Sequence, residues 1–150
     1  MKEIEHKFLV DSEIWASVTK PNPSLIVQAY ITRSVNTTVR VRIKDSKGYL
    51  TIKGKTEGIS RTEFEYEIPL ADAEEMIVSF TDKHIRKQRY EIEHEGRLWE
   101  VDVFHGNLYG LIVAELEVER EEDQFSLPDW VTENVSTDPN YYNAVLIERC

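Results

Sequence analysis

Cysteine is nearly absent from this chain of 150 residues: the only one is Cys150. No intrachain disulfide can form, and nothing around Cys150 marks it as an activated nucleophile. Glycine and proline are scarce, at six and five residues, so no flexible linker is evident. One domain over residues 1–150 is expected, a size at which a single core is comfortable. No apolar run approaches the ~20 residues that cross a bilayer, so no membrane association is expected. The opening Met1-Lys2-Glu3-Ile4-Glu5-His6-Lys7 is too charged to be the apolar core of a secretion signal. With the lone cysteine, this points to the cytoplasm. Positive charge is also in deficit: 18 Lys and Arg stand against 28 Asp and Glu, a net charge of −10. Such a chain repels nucleic acid unless its cations are concentrated, and no nucleic-acid partner is expected. The same surplus of carboxylates suits a site that holds metal cations.

What is abundant is alternation. Hydrophobic residues make up 41% of the chain, and in eight segments they occupy every second position. That period sends alternate side chains to opposite sheet faces. Glu3, Glu5 and Lys7 alternate with Ile4, His6 and Phe8; Gln28 and Tyr30 with Val27, Ala29 and Ile31. Arg40, Arg42 and Lys44 alternate with Val39, Val41 and Ile43; Thr51 and Lys53 with Leu50 and Ile52. Arg61, Glu63, Glu65 and Glu67 share one face, as do Lys87, Arg89, Glu91 and Glu93. Glu100 and Asp102 form a further charged face, and Glu115, Glu117 and Glu119 the last. Asp45-Ser46-Lys47-Gly48 and His94-Glu95-Gly96-Arg97 read as hairpin turns between such runs. Three helices are expected besides. One is short, from Asp11 to about Thr19. The second runs Leu70–Phe80, with Leu70, Ala73, Met76, Ile77 and Phe80 on one face. The third starts at Asp138-Pro139, an N-cap followed by proline, and runs through Tyr142, Val145 and Leu146.

Eight mostly antiparallel strands are enough to close a small barrel. An open two-layer sheet with its charges in solvent is the plainer arrangement for alternation of this kind. The distribution of sign argues for the barrel. Carboxylates gather on the first, seventh and eighth strands, and cations on the third, fourth and sixth, with Arg61 opening the acidic fifth. Guanidinium forks match phosphate oxygens. Grouped carboxylates match hard divalent cations such as magnesium or manganese. A polyphosphate carrying bound metals needs both groups in one cavity.

The order of these blocks resembles the CYTH domain, the triphosphate tunnel metalloenzyme superfamily. Glu3-Ile4-Glu5-His6-Lys7 matches its Glu-x-Glu-x-Lys opening, and Arg40-Val41-Arg42, Tyr49 to Gly54 and Arg61 to Pro69 match later strands. Ile85 to Tyr90, Trp99 to Phe104 and Gly110 to Val118 complete a resemblance that covers nearly the whole chain. It is closest to the short bacterial branch that includes inorganic triphosphatases. Two positions depart from the pattern. His6 stands where arginine is frequent, and Trp130 to Ser136 carries Asn134 and Ser136 in place of Glu and Thr, which puts local helix contacts in question.

The resemblance implies an α+β fold: an eight-stranded, mostly antiparallel β-barrel with a charged interior, open at both ends, and helices packed outside. It implies a divalent-metal-dependent hydrolase of a small triphosphate, inorganic triphosphate foremost. Arg40, Arg42, Lys53, Lys87 and Arg89, with Arg61, would hold phosphate. Glu3, Glu5, Glu115, Glu117 and Asp102 would hold two Mg2+ or Mn2+ ions, and Glu5 and Lys7 would serve catalysis. A class IV adenylate cyclase and a thiamine triphosphatase use nearly the same barrel, and a polyphosphate-binding module is the non-enzymatic alternative. A homodimer would cover apolar outer surface.

Overall fold

The computed structural model describes all residues, 1–150. The alternating segments form nine strands: β1 (Lys2–Val10), β2 (Ser24–Arg33), β3 (Thr37–Lys44), β4 (Lys47–Gly54), β5 (Ser60–Ile68), β6 (Ile85–His94), β7 (Arg97–Phe104), β8 (Ile112–Val118) and β9 (Val131–Asn134). Their sheet runs β5-β4-β3-β2-β6-β7-β8-β1, and a further pairing of β5 with β1 closes it. The eight-stranded antiparallel barrel that the resemblance implies is therefore present, and the open two-layer sheet is not. Closure pairs strands that an open sheet would leave as edges.

The ninth strand was not foreseen. β1 has two partners in turn along one edge: Lys2, Glu3 and Ile4 pair with β5, while Phe8 and Val10 pair with β9. The segment expected to make helix contacts thus completes β1 instead. Asn134 and Ser136 serve that join. The Ser136 hydroxyl accepts from the Lys7 backbone N–H at 2.8 Å, and the Asn134 carbonyl oxygen accepts from the Ser136 N–H at 2.9 Å.

The hairpin turns fall where the sequence places them. At the β6–β7 turn, Glu95 and Gly96 both take positive φ, at 47° and 76°. Two such residues give the turn a twist that matches the flanking strands.

The helices are short. α1 (Ser12–Ala16) begins at Asp11, whose carboxylate accepts from the Glu13 and Ile14 N–H groups at 3.0 and 2.9 Å. α2 (Leu70–Phe80) has the expected bounds. It lies on the outside of the barrel with Ala73 against Gly48, where a Cβ on residue 48 would come within 2.7 Å of the Ala73 Cβ. The expected C-terminal helix is broken into 3-10 turns at Pro139–Tyr141 and Ile147–Arg149 around α3 (Asn143–Leu146).

Two apolar layers hold this frame. Outside β1, β7 and β8, Phe8, Trp15, Trp99, Val101, Leu116 and Trp130 are buried together. Trp130 meets Trp15 and Trp99 edge-on at 5.4 and 5.8 Å between ring centres, a favoured aromatic geometry. The second layer includes Val41, with Ala73 of α2 packed over the barrel, and Phe104, Val113, Leu146 and Ile147. Phe104, Val113 and Leu9 share the inward parity of the charged residues on their strands, so Leu146 and Ile147 pack at one end of the barrel. The C-terminal segment is therefore not an outer-layer helix, and the barrel is not lined by charge along its whole length. Ile52, Phe64 and Tyr66, outside β4 and β5, remain exposed. No helix is long and apolar enough to cross a membrane.

Candidate active site

The barrel's strand order turns a sequence pattern into two arcs. β7, β8 and β1 are adjacent, which gathers Glu100, Glu115, Glu117, Glu3 and Glu5. β4 and β3 on one side and β6 on the other carry the cations, with β2 between β3 and β6. The arcs face one cavity of about 800 Å³, lined by Glu3, Glu5, Lys7, Arg40, Arg42, Lys53, Arg61, Arg89, Glu115 and Glu117, among others.

The carboxylates come in proton-sharing pairs. Burial and the neighbouring Glu115 push Glu5 well above the usual carboxylate range. Glu115 goes the other way. Burial alone would raise it, but Lys7, the hydrogen bond with Glu5 and Arg89 hold it well below. The second pair repeats this: burial and its hydrogen bond with Glu3 push Glu63 up to about 7. Glu3 itself is held low, since Glu63 and Lys53 outweigh its burial. Neighbouring carboxylates resist ionising together, and in each pair one member is raised while the other is held low by the cations beside it. Burial also raises Glu100 and Glu117. The donors are all carboxylate oxygens, which suit a hard divalent cation. They stand in pairs rather than in a ready three-ligand group. A divalent cation fits this arrangement because it would replace the shared protons.

The cations differ in how far they are neutralised. Lys53 lies 2.8 Å from Glu3 and 3.8 Å from Glu63. Arg61 donates to the Gly54 carbonyl at 2.8 Å and to Thr38 at 3.4 Å. Arg89 is an internal hub, reaching Asp102 at 2.8 Å, Glu115 at 3.0 Å and Glu100 at 3.2 Å. Lys7 contacts the Tyr141 carbonyl at 3.2 Å and Glu115 at 3.6 Å. Glu115, Glu5 and Tyr30 outweigh the effect of its burial and raise its pKa. Arg40 donates to Thr51 at 3.0 Å and Glu65 at 3.3 Å, while its buried Nε–H has no acceptor. Arg42 has only the neutral Gln28 as a partner, at 3.1 Å. Burial, Arg40 and Arg89 together push its guanidinium down to about 9. Arg42 is thus a cation without a counter-ion, among other cations, on the wall of a cavity.

Two expected ligands do not reach that wall. Lys87 is 0% exposed and Asp102 1%, and they pair with each other at 2.8 Å behind it. Asp102 spends both oxygens on Arg89 and Lys87, at 2.8 Å for the closest contact to each. Both oxygens already accept from buried cations, so Asp102 serves as their counter-ion in this arrangement rather than as a lining group of the cavity. Lys87 is pushed down to about 8, chiefly by its burial. Inward parity placed both residues correctly inside, but depth along the barrel decided whether they meet the cavity.

Other lining residues were not in the expected set. Glu63 and Glu65 line the cavity, as do Lys44, Tyr49 and Lys55 and, from the C-terminal segment, Tyr142 and Asn143. Alternation carries the signal for Lys44 and Tyr49, which share the inward parity of Arg42 and Lys53. No sequence period points to the C-terminal segment.

The CYTH domain family model matches residues 1–149. The chain belongs to the CYTH-domain family. Its CYTH relatives include an inorganic triphosphatase of Acetivibrio thermocellus, 44% identical over 149 residues, covering 99% of this chain and 94% of the relative. An inorganic triphosphatase of Nitrosomonas europaea is 32% identical, with 97% of each chain covered. Among solved structures, an inorganic triphosphatase aligns with a TM-score of 0.67 at 28% identity over 97% of each chain. A Hippeastrum protein described as an adenylyl cyclase with a dominant triphosphatase activity aligns with a TM-score of 0.59 over 79% of this chain and 80% of that one. At 17% identity it supports the fold alone.

Proposed function

We propose that this chain is a divalent-metal-dependent triphosphatase, hydrolysing inorganic triphosphate to diphosphate and phosphate in a single domain spanning residues 1–150. The observation that carries the reading is Arg42. Its guanidinium forms no ion pair and is held only by a neutral amide, beside Arg40, so a polyanion entering the cavity would supply the counter-charge it lacks. The full-length inorganic triphosphatase relatives support the choice of substrate.

In this reading, Arg40 and Arg42 grip phosphate oxygens, and Lys53 and Arg61 extend the grip toward β1. Arg89 keeps Glu100 and Glu115 in place while adding positive charge behind the transferred group. Glu3, Glu5, Glu115 and Glu117 hold magnesium or manganese, two ions in turnover. The bound metal supplies charge neutralisation and a more acidic water. Lys7, tied to Glu115 and the Tyr141 carbonyl, orients the carboxylate pair and contacts the phosphoryl end of the substrate.

The test is a panel of metals against substrates. Tripolyphosphate, ATP and thiamine triphosphate are each incubated with magnesium or manganese, and phosphate and cyclic AMP are scored. Release of phosphate fastest from tripolyphosphate is the expected result. Cyclic AMP formation would replace the reading with a cyclase, and binding without release from any substrate would replace it with a polyphosphate-binding module.

A further inference from the structure

Gln28 is fully buried on β2 and sits directly across the ladder from Arg42 on β3. Its side-chain oxygen accepts from the Arg42 Nε–H at 3.1 Å. That single bond takes the inner edge of the guanidinium and leaves the two terminal nitrogens free toward the cavity. Arg40, two residues along the same strand, is held in the opposite sense. Its terminal Nη2 is taken by Thr51 and Glu65, and its Nε–H is left without an acceptor. The two forks are therefore fixed at different nitrogens, Arg42 through Nε and Arg40 through Nη2. They also differ in charge. Arg40 is partly neutralised by Glu65 at 3.3 Å, whereas Arg42 is oriented by a group that takes none of its charge away.

We infer that Gln28 is a positioning residue for substrate binding: a neutral anchor that aims the Arg42 fork into the cavity while leaving its full positive charge for a phosphate group. The inference rests on the triphosphatase reading and adds to it a residue that does not line the cavity. The chemistry requires an acceptor, because Arg42 Nε–H would otherwise be buried and unpaired. It also requires neutrality, because a carboxylate at this place would form an internal ion pair and compete with the polyanion. Glutamine meets both demands. The remaining Gln28 Nε2 is buried and has no partner. Stability alone would not favour leaving that amide donor and the Arg42 charge uncompensated together.

Two variants of nearly equal shape separate the demands. Gln28→Met removes the acceptor, and Gln28→Glu keeps it but adds a negative charge. In steady-state hydrolysis of tripolyphosphate, Gln28→Met should raise KM about tenfold, the effect expected when a charge-assisted hydrogen bond is lost, with kcat within about threefold. Gln28→Glu should raise KM at least as much, although the bond to Arg42 is retained. The decisive measurement is the affinity for tripolyphosphate by calorimetry, without metal, in an Arg42→Ala background. There Gln28→Met should change affinity less than about twofold, because no fork remains to be aimed. Thermal melts confirm that each variant is folded. Equal losses with and without Arg42, or a fall in kcat at constant KM, would overturn the inference. So would a Gln28→Glu variant that binds as tightly as the parent. If the parent binds tripolyphosphate without hydrolysing it, the triphosphatase reading fails while the calorimetric cycle still decides the role of Gln28.

Discussion

Replacing Arg42 with methionine should make the protein more stable and much worse at binding its substrate. Burial, Arg40 and Arg89 push the guanidinium far down from its ordinary value, to about 9. At ~1.36 kcal/mol per pH unit, this is about 5 kcal/mol of unfavourable free energy carried by the charged form. The cavity admits water and the chain relaxes around a lost charge, so about half of that is recoverable, roughly 2–3 kcal/mol. Methionine leaves the Gln28 oxygen without its donor, which costs about 1 kcal/mol. The net gain is about 1–2 kcal/mol. For a chain of this length it appears as a rise in Tm of about 3–6 °C. The sign follows from linkage. A cation whose pKa is depressed by folding binds its proton less tightly in the native state. It therefore opposes folding wherever the unfolded arginine is charged, which includes all of the neutral range. The assay is thermal unfolding at neutral pH, without metal, with and without tripolyphosphate. At a hundred times its dissociation constant, the anion should add about 2.7 kcal/mol to the parent. It should add little to Arg42→Met. The reasoning is refuted if the variant melts lower than the parent and keeps the anion-induced shift. That outcome would mean Arg42 is an ordinary packing residue rather than an unpaired charge waiting for phosphate.

Glu5→Gln should lower kcat for tripolyphosphate by at least about a hundredfold while calorimetric binding of the anion changes little, because the substitution removes a carboxylate without touching the cation arc. Magnesium affinity should rise with pH through about 7, the point at which Glu63 gives up the proton it shares with Glu3, and fall up to about tenfold per pH unit below it. Glu63→Gln should flatten that dependence in a calorimetric metal titration. Asp102→Asn should cost about 3–5 kcal/mol in urea unfolding, since Lys87 and Arg89 lose a buried counter-ion. Metal affinity measured where the variant is still folded should stay within a few-fold, in contrast to Glu5→Gln. Gly48→Ala should cost about 1–3 kcal/mol, as α2 must move off the barrel to admit a Cβ now 2.7 Å from Ala73.

The inward faces of the eight strands, the 70–80 helix and the hairpin turns could be read from the chain alone. Period-two alternation is a local steric property of extended backbone, so it survives without knowledge of any partner strand. The same holds for the residue types: arginines and carboxylates announce phosphate and metal wherever they are placed. Local pattern did not reveal what each charge meets. Lys53 reaches Glu3 across 50 positions of sequence, and Arg89 reaches Glu115 across 26. The first pairing exists because β5 joins β1 and closes the cylinder, and the second because β6, β7 and β8 lie side by side. Depth along the barrel axis was also invisible, which is why Asp102 and Lys87 read as ligands although they stand behind the wall. β9 and the C-terminal turns escaped because short segments that complete another strand or an open end carry little period of their own. Alternation thus determined which side chains turn inward. Strand pairing and closure in three dimensions decided which carboxylates share a proton, which cations are neutralised, and that Arg42 is left with an amide for company, because each of these depends on which side chains meet across strands.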